Sequence, residues 1–364
     1  MCRVRTMLGV STVTQLVLVL TSVLMVATLH GQDSGSGRLF QTATHRFQEV
    51  APGVYFASGT GKIVTHSNSL VIVTSTDTII VDSHVTPLAA RALIASVKEL
   101  TDRPVRFLVN THYHFDHVLG NEGFPAGVSI IGHEATRENL LGEPLKDPIY
   151  LDAVSQMRKS VETLKARVEK EQDPTAKKKL ETQQESAQAY LTSLVEGRPV
   201  PPDITVDSRL TIHRDGRPIE LLFMGRGHTE SDLLVFLPKE KILFTGDFLL
   251  ATPSYAGDCY LDEWIETLEK VKKLDFDLVL PGHGAPFRDR RYFDAFQKLL
   301  RTLWDQLAGL RKKGLSPEEA IQKVDLSEPL SFYDSATLPK HIRQLDPRIA
   351  RRVYQRLAEL EGRR

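Results

Sequence analysis

The segment THYHFDH at residues 111–117 constrains the fold of this 364-residue chain more than any other feature. It follows the apolar run VRFLVN directly, which predicts a buried strand. Its ligand-capable side chains are those of His112, His114, Asp116 and His117. If the chain stays extended beyond Asn110, the first three point to one side and the fourth follows at the turn. Burying these groups unpartnered would be costly, so the segment predicts a divalent metal site at a strand end.

Ligands for a second ion must come from elsewhere in the chain. Three candidates follow apolar strands or lie in glycine-flanked turns: His228 in GRGHTESD, Asp247 in LFTGD and His283 in PGHG. The cysteines are Cys2 and Cys259, and we expect the segment that carries Cys2 to be removed. Neither a disulfide nor a cysteine-rich zinc site is predicted, so histidines and carboxylates must hold any metal.

Together these segments resemble the metallo-β-lactamase superfamily, whose pattern is HxHxDH followed by a His, an Asp and a His on separate loops. The resemblance covers about residues 50–290, apart from an inserted segment. Asp82 in TIIVDSH resembles the family's first motif, a carboxylate near the metals. The resemblance implies an α/β fold, a four-layer αββα sandwich with its site at one edge of two sheets. By analogy His112, His114 and His228 would bind one zinc ion, Asp116, His117 and His283 a second, and Asp247 would bridge or complete the pair.

The resemblance also implies a dinuclear zinc hydrolase. Two ions roughly 3.5–4 Å apart lower the pKa of a bound water toward about 7, which makes hydroxide available to attack a carbonyl. Asp116 would orient this nucleophile. The expected substrates are small esters, thioesters, lactones or amides, including β-lactams. His84 is a further candidate for substrate contact, although a plain surface turn is the simpler interpretation of its position.

Fold alone does not choose among the activities of this superfamily, so alternatives stay open. One is a β-lactamase proper, yet such enzymes usually carry Cys or Ser where this chain has Asp247. Glyoxalase II carries Asp there, but its glutathione-binding helices are not recognisable here. Another is an oxidoreductase similar to persulfide dioxygenases, which use a single iron. The runs THYHFDHVLGN and IIGHEATREN are most similar to exported bacterial hydrolases of the superfamily. A binding protein with a decayed site is disfavoured by the complete ligand set.

Residues 1–31 predict an export signal, because two arginines precede an uncharged stretch that ends in small and polar residues. Cleavage near Gly31 would leave a periplasmic or secreted protein. An uncleaved segment would instead act as a membrane anchor, which we consider the less favoured outcome.

The remaining chain predicts a metallo-β-lactamase-like domain over residues 45–290 and a C-terminal helical extension over residues 291–364. At about residues 151–196, apolar side chains recur at steps of three and four, which predicts an inserted helical hairpin. Such a hairpin could be a lid over the site, a strut or a dimer interface. The 46 basic and 46 acidic residues balance, which argues against a nucleic-acid partner and leaves a small-molecule substrate.

Overall fold

Two β-sheets stacked face to face organise the chain. They are seen in a computed structural model, which describes residues 37–339, 342 and 344–362. In this described part, the first sheet contains, in spatial order, β1 Leu39–Gln41, β2 His45–Ala51, β3 Val54–Gly59, β4 Ser69–Val73, β5 Thr78–Val81, β6 Val105–Val109, β7 Ser129–His133 and β8 Ile204–Val206. The second sheet has the order β13-β12-β11-β10-β9 and consists of β9 Arg209–Arg214, β10 Arg217–Phe223, β11 Leu233–Leu237, β12 Ile242–Gly246 and β13 Leu278–Pro281. The predicted export signal and Cys2 lie outside the described residues.

Helices cover the outer faces of the sheets and form the connections between parallel strands. Their bounds are α1 Pro87–Leu100, α2 Phe115–Val118, α3 Glu134–Leu141, α4 Pro148–Lys170, α5 Pro174–Glu196, α6 Leu261–Val271, α7 Arg291–Lys312, α8 Pro317–Ile321, α9 Ser327–Leu330 and α10 Pro347–Glu361. Helix α1 joins β5 to the parallel strand β6, and α6 joins β12 to the parallel strand β13. Among these described helices, none is long and apolar enough to cross a membrane.

Side-chain alternation along the strands produces three apolar layers. In β4, Leu70 and Ile72 belong to the cluster between the two sheets, whereas Val71 packs toward Leu93 and Val97 of α1. Strands that are apolar on both faces are typical of sheets covered on both sides. Each fully buried aliphatic side chain of this kind contributes about 1.5–3 kcal/mol. The predicted αββα sandwich is therefore confirmed.

The outer face of the second sheet is covered by α6, α7 and α10. Trp264 of α6, Phe296 of α7 and Ile349 of α10 share one buried cluster with Leu234 and Leu243 of the sheet. The rings of Trp264 and Phe296 meet edge to face at 5.0 Å. The C-terminal helices thus complete one outer layer of the sandwich.

The predicted hairpin is present as α4 and α5, in the connection between β7 and β8. Each helix begins with a proline that follows a capping aspartate: Asp147 accepts from the amides of residues 149 and 150, and Asp173 accepts from that of residue 176. The apolar stripes pack mainly on each other, with Val161, Leu164 and Leu191 in one buried cluster. Sequence reasoning missed β1, β2 and β8: β1 and β8 have three residues each, and the seven-residue β2, HRFQEVA, is largely polar.

Candidate metal centre

The carboxyl ends of the parallel strands meet at one edge of the sandwich and carry the predicted ligands. Asp82 follows β5, His112 follows β6, Asp247 follows β12 and His283 follows β13. Side chains at such strand ends converge, as in other α/β sheets. The ligand atoms of the predicted metal-binding residues form three overlapping groups, with all atoms of a group within 4.8 Å of one another. The groups are His112, His114 and His228; His112, His117 and Asp247; and Asp116, His117 and His283.

The local conformation of the THYHFDH segment differs from the extended chain that the sequence suggested. The strand ends at Val109, the backbone bends at Thr111 and His112, and the helical turn α2 begins at Phe115. The amide of His117 donates to the carbonyl of His114 at 2.9 Å and closes this turn. The expectation that Asp116 continues an extended run was therefore wrong. The turn instead separates the ligands, sending His112 and His114 toward His228, and Asp116 and His117 toward His283.

The first group consists of three buried imidazoles. The ring centroids of His112, His114 and His228 lie 4.7 to 4.9 Å apart, with the rings nearly perpendicular. The Nε2 atom of His112 and both ring nitrogens of His228 are buried and have no hydrogen-bond partner among the described residues. Unpaired buried nitrogens cost free energy unless a ligand satisfies them. A metal ion bound by the three rings would satisfy Nε2 of His112 and one of the two nitrogens of His228.

Hydrogen bonds fix the tautomers of the three histidines in THYHFDH. Thr111 donates its hydroxyl to Asp82 at 2.9 Å, so its oxygen accepts from Nδ1 of His112 at 3.0 Å. His117 donates from Nδ1 to Asp82 at 2.8 Å. His114 donates from Nε2 to Asp258 at 2.9 Å. Each ring therefore keeps the lone pair of its other nitrogen for a metal, the arrangement expected of ligating histidines.

Asp82 occupies the position that its motif predicts, at the base of this network. It is fully buried, and its backbone has a left-handed φ of 61°. Its Oδ1 atom accepts a hydrogen bond from the Thr111 amide at 2.8 Å. Its Oδ2 atom accepts hydrogen bonds from the Thr111 hydroxyl and from Nδ1 of His117. Asp82 therefore orients ligand residues rather than joining a ligand group. Asp258 does the same for His114, but sequence reasoning missed it because the surrounding SYAGDCY matches no motif.

The other end of the site combines the carboxylates of Asp116 and Asp247 with the imidazoles of His117 and His283. The Nε2 atom of His283 lies 3.2 Å from Oδ2 of Asp116 and 3.2 Å from Oδ2 of Asp247. The Nε2 atom of His117 lies 3.4 Å from Oδ1 of Asp247. Asp247 also belongs to a group with His112, so it stands between the two ends of the site. Gly282 must lack a side chain, because a Cβ there would lie 2.4 Å from Oδ1 of Asp247.

The two ends of the site differ in electrostatic character. Burial, with nearby His114, lowers the pKa of His228 to about 3, and burial with His117 lowers that of His112 well below its ordinary value. These rings are neutral, as metal ligands must be. Burial opposes protonation of His283 as well, but Asp247 and Asp116 outweigh it and raise its pKa to about 10. The end of the site that carries Asp116 and Asp247, called the carboxylate end below, therefore favours a positive charge.

His84 corrects one expectation from the sequence. It is fully buried rather than part of a surface turn, so it does not contact substrate. Its Nε2 atom lies 3.1 Å from Nε2 of His45, and its Nδ1 atom lies 3.4 Å from the Ser67 hydroxyl. His84 adopts a left-handed φ of 66°, which turns its ring inward beneath the site.

The base of the hairpin reaches two segments that flank the site. The ring of Tyr150 in α4 meets that of Phe115 edge to face at 5.8 Å. Tyr190 in α5 contacts His66, in the loop between β3 and β4, through a 3.2 Å hydrogen bond to Nε2. Val85 and Leu119 share the buried cluster of the two tyrosines. One end of the hairpin is therefore anchored beside the candidate metal centre.

Comparison with known proteins agrees with this architecture. Residues 63–283 match the family described as the metallo-beta-lactamase superfamily. A linear primary-alkylsulfatase from Pseudomonas sp. is 23% identical over 269 residues, covering 70% of this chain and 49% of the relative. A metallo-beta-lactamase type 2 from Bacteroides fragilis is 33% identical over 114 residues, covering 28% of this chain and 45% of the relative.

Among solved structures, the stereoselective inverting sec-alkylsulfatase Pisa1 from Pseudomonas sp. is similar with a TM-score of 0.59 at 18% identity. The match covers 85% of this chain and 50% of that one. At this identity the likeness shows the fold alone. The chain spans about half the length of the curated relatives it matches first.

Proposed function

Because this chain belongs to the metallo-β-lactamase superfamily, we propose that it is a dinuclear zinc hydrolase of small esters, thioesters, lactones or amides. The observation that carries the proposal is the set of buried polar atoms that have no hydrogen-bond partner among the described residues: Nε2 of His112, both ring nitrogens of His228 and Oδ1 of Asp247. These atoms, with the tautomers fixed by Asp82 and Asp258, fit metal ions rather than a polar core.

The residues divide between two ions by their chemistry. Three buried imidazoles, from His112, His114 and His228, are typical of a zinc site that keeps a fourth position open. Asp116, His117 and His283 form the second set, and Asp247 lies within reach of both. The two carboxylates offset the charge of two dications. This distribution favours two metal ions over the single iron of a persulfide dioxygenase.

Zinc ions held there would supply a water of lowered pKa and polarise the scissile carbonyl. Among the residues of the chain, Asp116 is the one that interacts with the proton of the attacking water. Burial raises the pKa of its carboxyl, but the neighbouring His117 and His283 outweigh this and hold it below its usual range. Asp116 therefore remains ionised and accepts a hydrogen bond from the attacking water, which orients it toward the substrate. The chain needs no serine or cysteine nucleophile.

Sulfate esters are a second substrate class, because the linear primary-alkylsulfatase matches 70% of this chain. The Asp at position 247 also disfavours β-lactam hydrolysis as the main activity. We propose a small-molecule substrate in each case, with no nucleic-acid partner. Export to the periplasm or medium remains part of the proposal.

A substrate panel on the zinc-loaded full chain tests the proposal. The panel contains a 4-nitrophenyl ester, a thioester, a lactone, an alkyl sulfate and a chromogenic cephalosporin. We expect turnover of at least one carboxylic substrate that disappears in the Asp116→Asn variant, with zinc content measured for both proteins. Exclusive turnover of the sulfate or the cephalosporin would reassign the substrate class. No turnover with zinc, but oxygen consumption with one iron, would refute the hydrolase.

A further inference from the structure

The loop between β3 and β4 carries a histidine that no motif or comparison assigns to the site. His66 is exposed, whereas Thr65, Ser67 and Asn68 beside it are buried. The amide of Ser67 donates to the carbonyl of Thr65 at 2.8 Å, which makes His66 the central residue of a three-residue turn. Its φ of 59° is uncommon for a residue other than glycine. Such strained residues persist only where surrounding contacts enforce them, and they concentrate at functional sites.

The buried neighbours of His66 attach this turn to the carboxylate end of the metal centre. The hydroxyl of Ser67 donates to the backbone carbonyl of Asp116 at 2.7 Å. The side chain of Asn68 donates to the carbonyls of Pro281 and Gly284, which flank His283, at 3.1 and 2.9 Å. The turn is therefore held to two ligand-bearing loops at once, and His66 stands at their rim.

Electrostatic proximity supports this placement. Asp116, His283 and His117 are among the ionisable groups close enough to act on the charge of His66. These residues are the ones assigned above to the second metal ion. A substrate oxygen bound at the carboxylate end of the site would therefore lie on the same side as the His66 turn.

The hairpin fixes the orientation and tautomer of the His66 ring. Tyr190 is buried, and its ring stacks on that of His66 with an interplanar angle of 17° and a centroid distance of 5.9 Å. Burial raises the pKa of Tyr190, so its hydroxyl stays protonated. The hydroxyl lies 3.2 Å from Nε2 of His66, its one hydrogen-bond partner among the described residues, and the tautomer in which the hydroxyl can use its proton there has Nε2 as the acceptor. The ring proton of neutral His66 then resides on Nδ1, which no described residue engages in a hydrogen bond.

We infer that His66 binds the substrate by donating its Nδ1 hydrogen to an oxygen that carries or gains negative charge, and that Tyr190 is the positioning residue for this contact. The inference deepens the proposed hydrolase function and rests on it. The chemical class it selects is a substrate with a carboxylate, carbonyl or other oxyanion-forming group at the carboxylate end of the site. The hairpin thereby contributes to recognition through one hydroxyl without itself touching substrate.

Substitutions at residue 66 distinguish the contribution of the imidazole ring from that of the strained backbone. His66→Gly accommodates the left-handed turn and removes the ring. His66→Asn also tolerates this conformation and retains an N–H donor near the position of Nδ1. Tyr190→Phe keeps the stacked ring and removes the hydroxyl. Tyr150→Phe is the matched control, because its hydroxyl donates to the Leu194 carbonyl within the hairpin and does not contact His66.

The experiment uses the zinc-loaded full chain with two readouts. The first is kcat and KM for whichever panel substrate the unmodified protein hydrolyses, and the second is the affinity for methylphosphonate, a stable oxyanion, by calorimetry. For His66→Gly we expect both kcat/KM and methylphosphonate affinity to fall about 10- to 100-fold, with zinc content and Tm unchanged. His66→Asn should recover most of this loss. Tyr190→Phe should lose less than His66→Gly, and Tyr150→Phe should lose nothing.

Three outcomes overturn the inference or one part of it. The substrate contact is refuted if His66→Gly matches the unmodified protein in both readouts, or if the unmodified protein does not bind methylphosphonate. The positioning role of Tyr190 is refuted if Tyr190→Phe behaves like Tyr150→Phe. The hydrolase proposal fails separately: a protein that hydrolyses nothing in the panel, but binds methylphosphonate through His66, would retain the contact and lose the reaction.

Discussion

His114 donates a 2.9 Å hydrogen bond from Nε2 to Oδ2 of Asp258, a residue 144 positions away in the sequence. The ring of His114 is buried, whereas the Asp258 side chain is 26% exposed. Burial disfavours the charged form of His114, but Asp258 outweighs it and raises the pKa of the imidazole. The same hydrogen bond orients the Nδ1 lone pair of His114 and makes it a better metal ligand.

Replacing Asp258 with asparagine should therefore weaken zinc binding by about 10- to 100-fold while the fold persists. Competition with a chromophoric chelator measures the affinity. Asp275→Asn is the control, because Asp275 is exposed and its one ion-pair partner in the described part of the chain is Lys241 on the surface. Equal zinc affinities for the two variants would show that Asp258 does not support the site.

Gly282 provides a steric test of the carboxylate end. A Cβ at this position would lie 2.4 Å from Oδ1 of Asp247 and 2.9 Å from Cε1 of His117. Gly282→Ala must displace one of these groups, so we expect at least about a tenfold loss of zinc affinity, or about 1.4 kcal/mol. Gly309→Ala, where a Cβ meets nothing within 4 Å, is the control. A Gly282→Ala protein with unaltered affinity would place the metal elsewhere.

The buried pair of His45 and His84 predicts a pH dependence of stability. Burial lowers the pKa of His45 to about 4, below its unfolded value of about 6.5. The unfolded chain therefore binds this proton first as the pH falls. Stability is complete above about pH 6.5 and declines toward pH 4, by on the order of 3 kcal/mol for His45 alone.

Urea unfolding at pH 7 and pH 5, with EDTA present, measures this decline without a contribution from metal binding. His45→Gln should lose less stability between the two pH values than the unmodified protein does. His213→Gln, at an exposed position, should keep the original difference. If all three proteins lose the same free energy of unfolding, the buried pair is not responsible.

The hairpin divides into two parts with separable roles. Tyr150 and Tyr190 anchor its base beside the site, whereas Val161, Leu164 and Leu180 pack within its distal half. Replacing residues 158–183 with a short Gly/Ser linker should leave KM close to that of the full chain. Replacing residues 148–196 should raise KM and broaden the accepted substrates, with zinc still bound. A changed sedimentation coefficient with unaltered kinetics would instead identify the hairpin as a dimer interface.

The features that could be predicted from the sequence are those marked by a motif or by the spacing of apolar residues. The αββα layers were implied by the family resemblance, and the hairpin was predicted from apolar side chains that recur at steps of three and four. The candidate ligands were found because each lies near the end of an apolar strand, within a recognisable sequence motif. The grouping of their ligand atoms then came from the fold.

Features that depend on the fold could not be predicted in this way. Asp258 and His66 lie in loops without a motif, and only the fold brings them to His114 and the second ligand group. The helical turn at Phe115 follows from the hydrogen bond between His117 and His114, not from hydrophobic spacing. His84 resembled a surface residue because a histidine after a strand is usually exposed, yet its left-handed φ turns it into the interior.

Metal stoichiometry tests the central claim most directly. Mass spectrometry of the zinc-loaded full chain, after removal of free metal, should find two zinc ions per chain. The His112→Ala, His114→Ala double variant should retain about one and lose nearly all hydrolysis, because these imidazoles supply most of the protein ligands of one ion. Two zinc ions and full turnover in the double variant would contradict the account, as would a single iron in the unmodified protein.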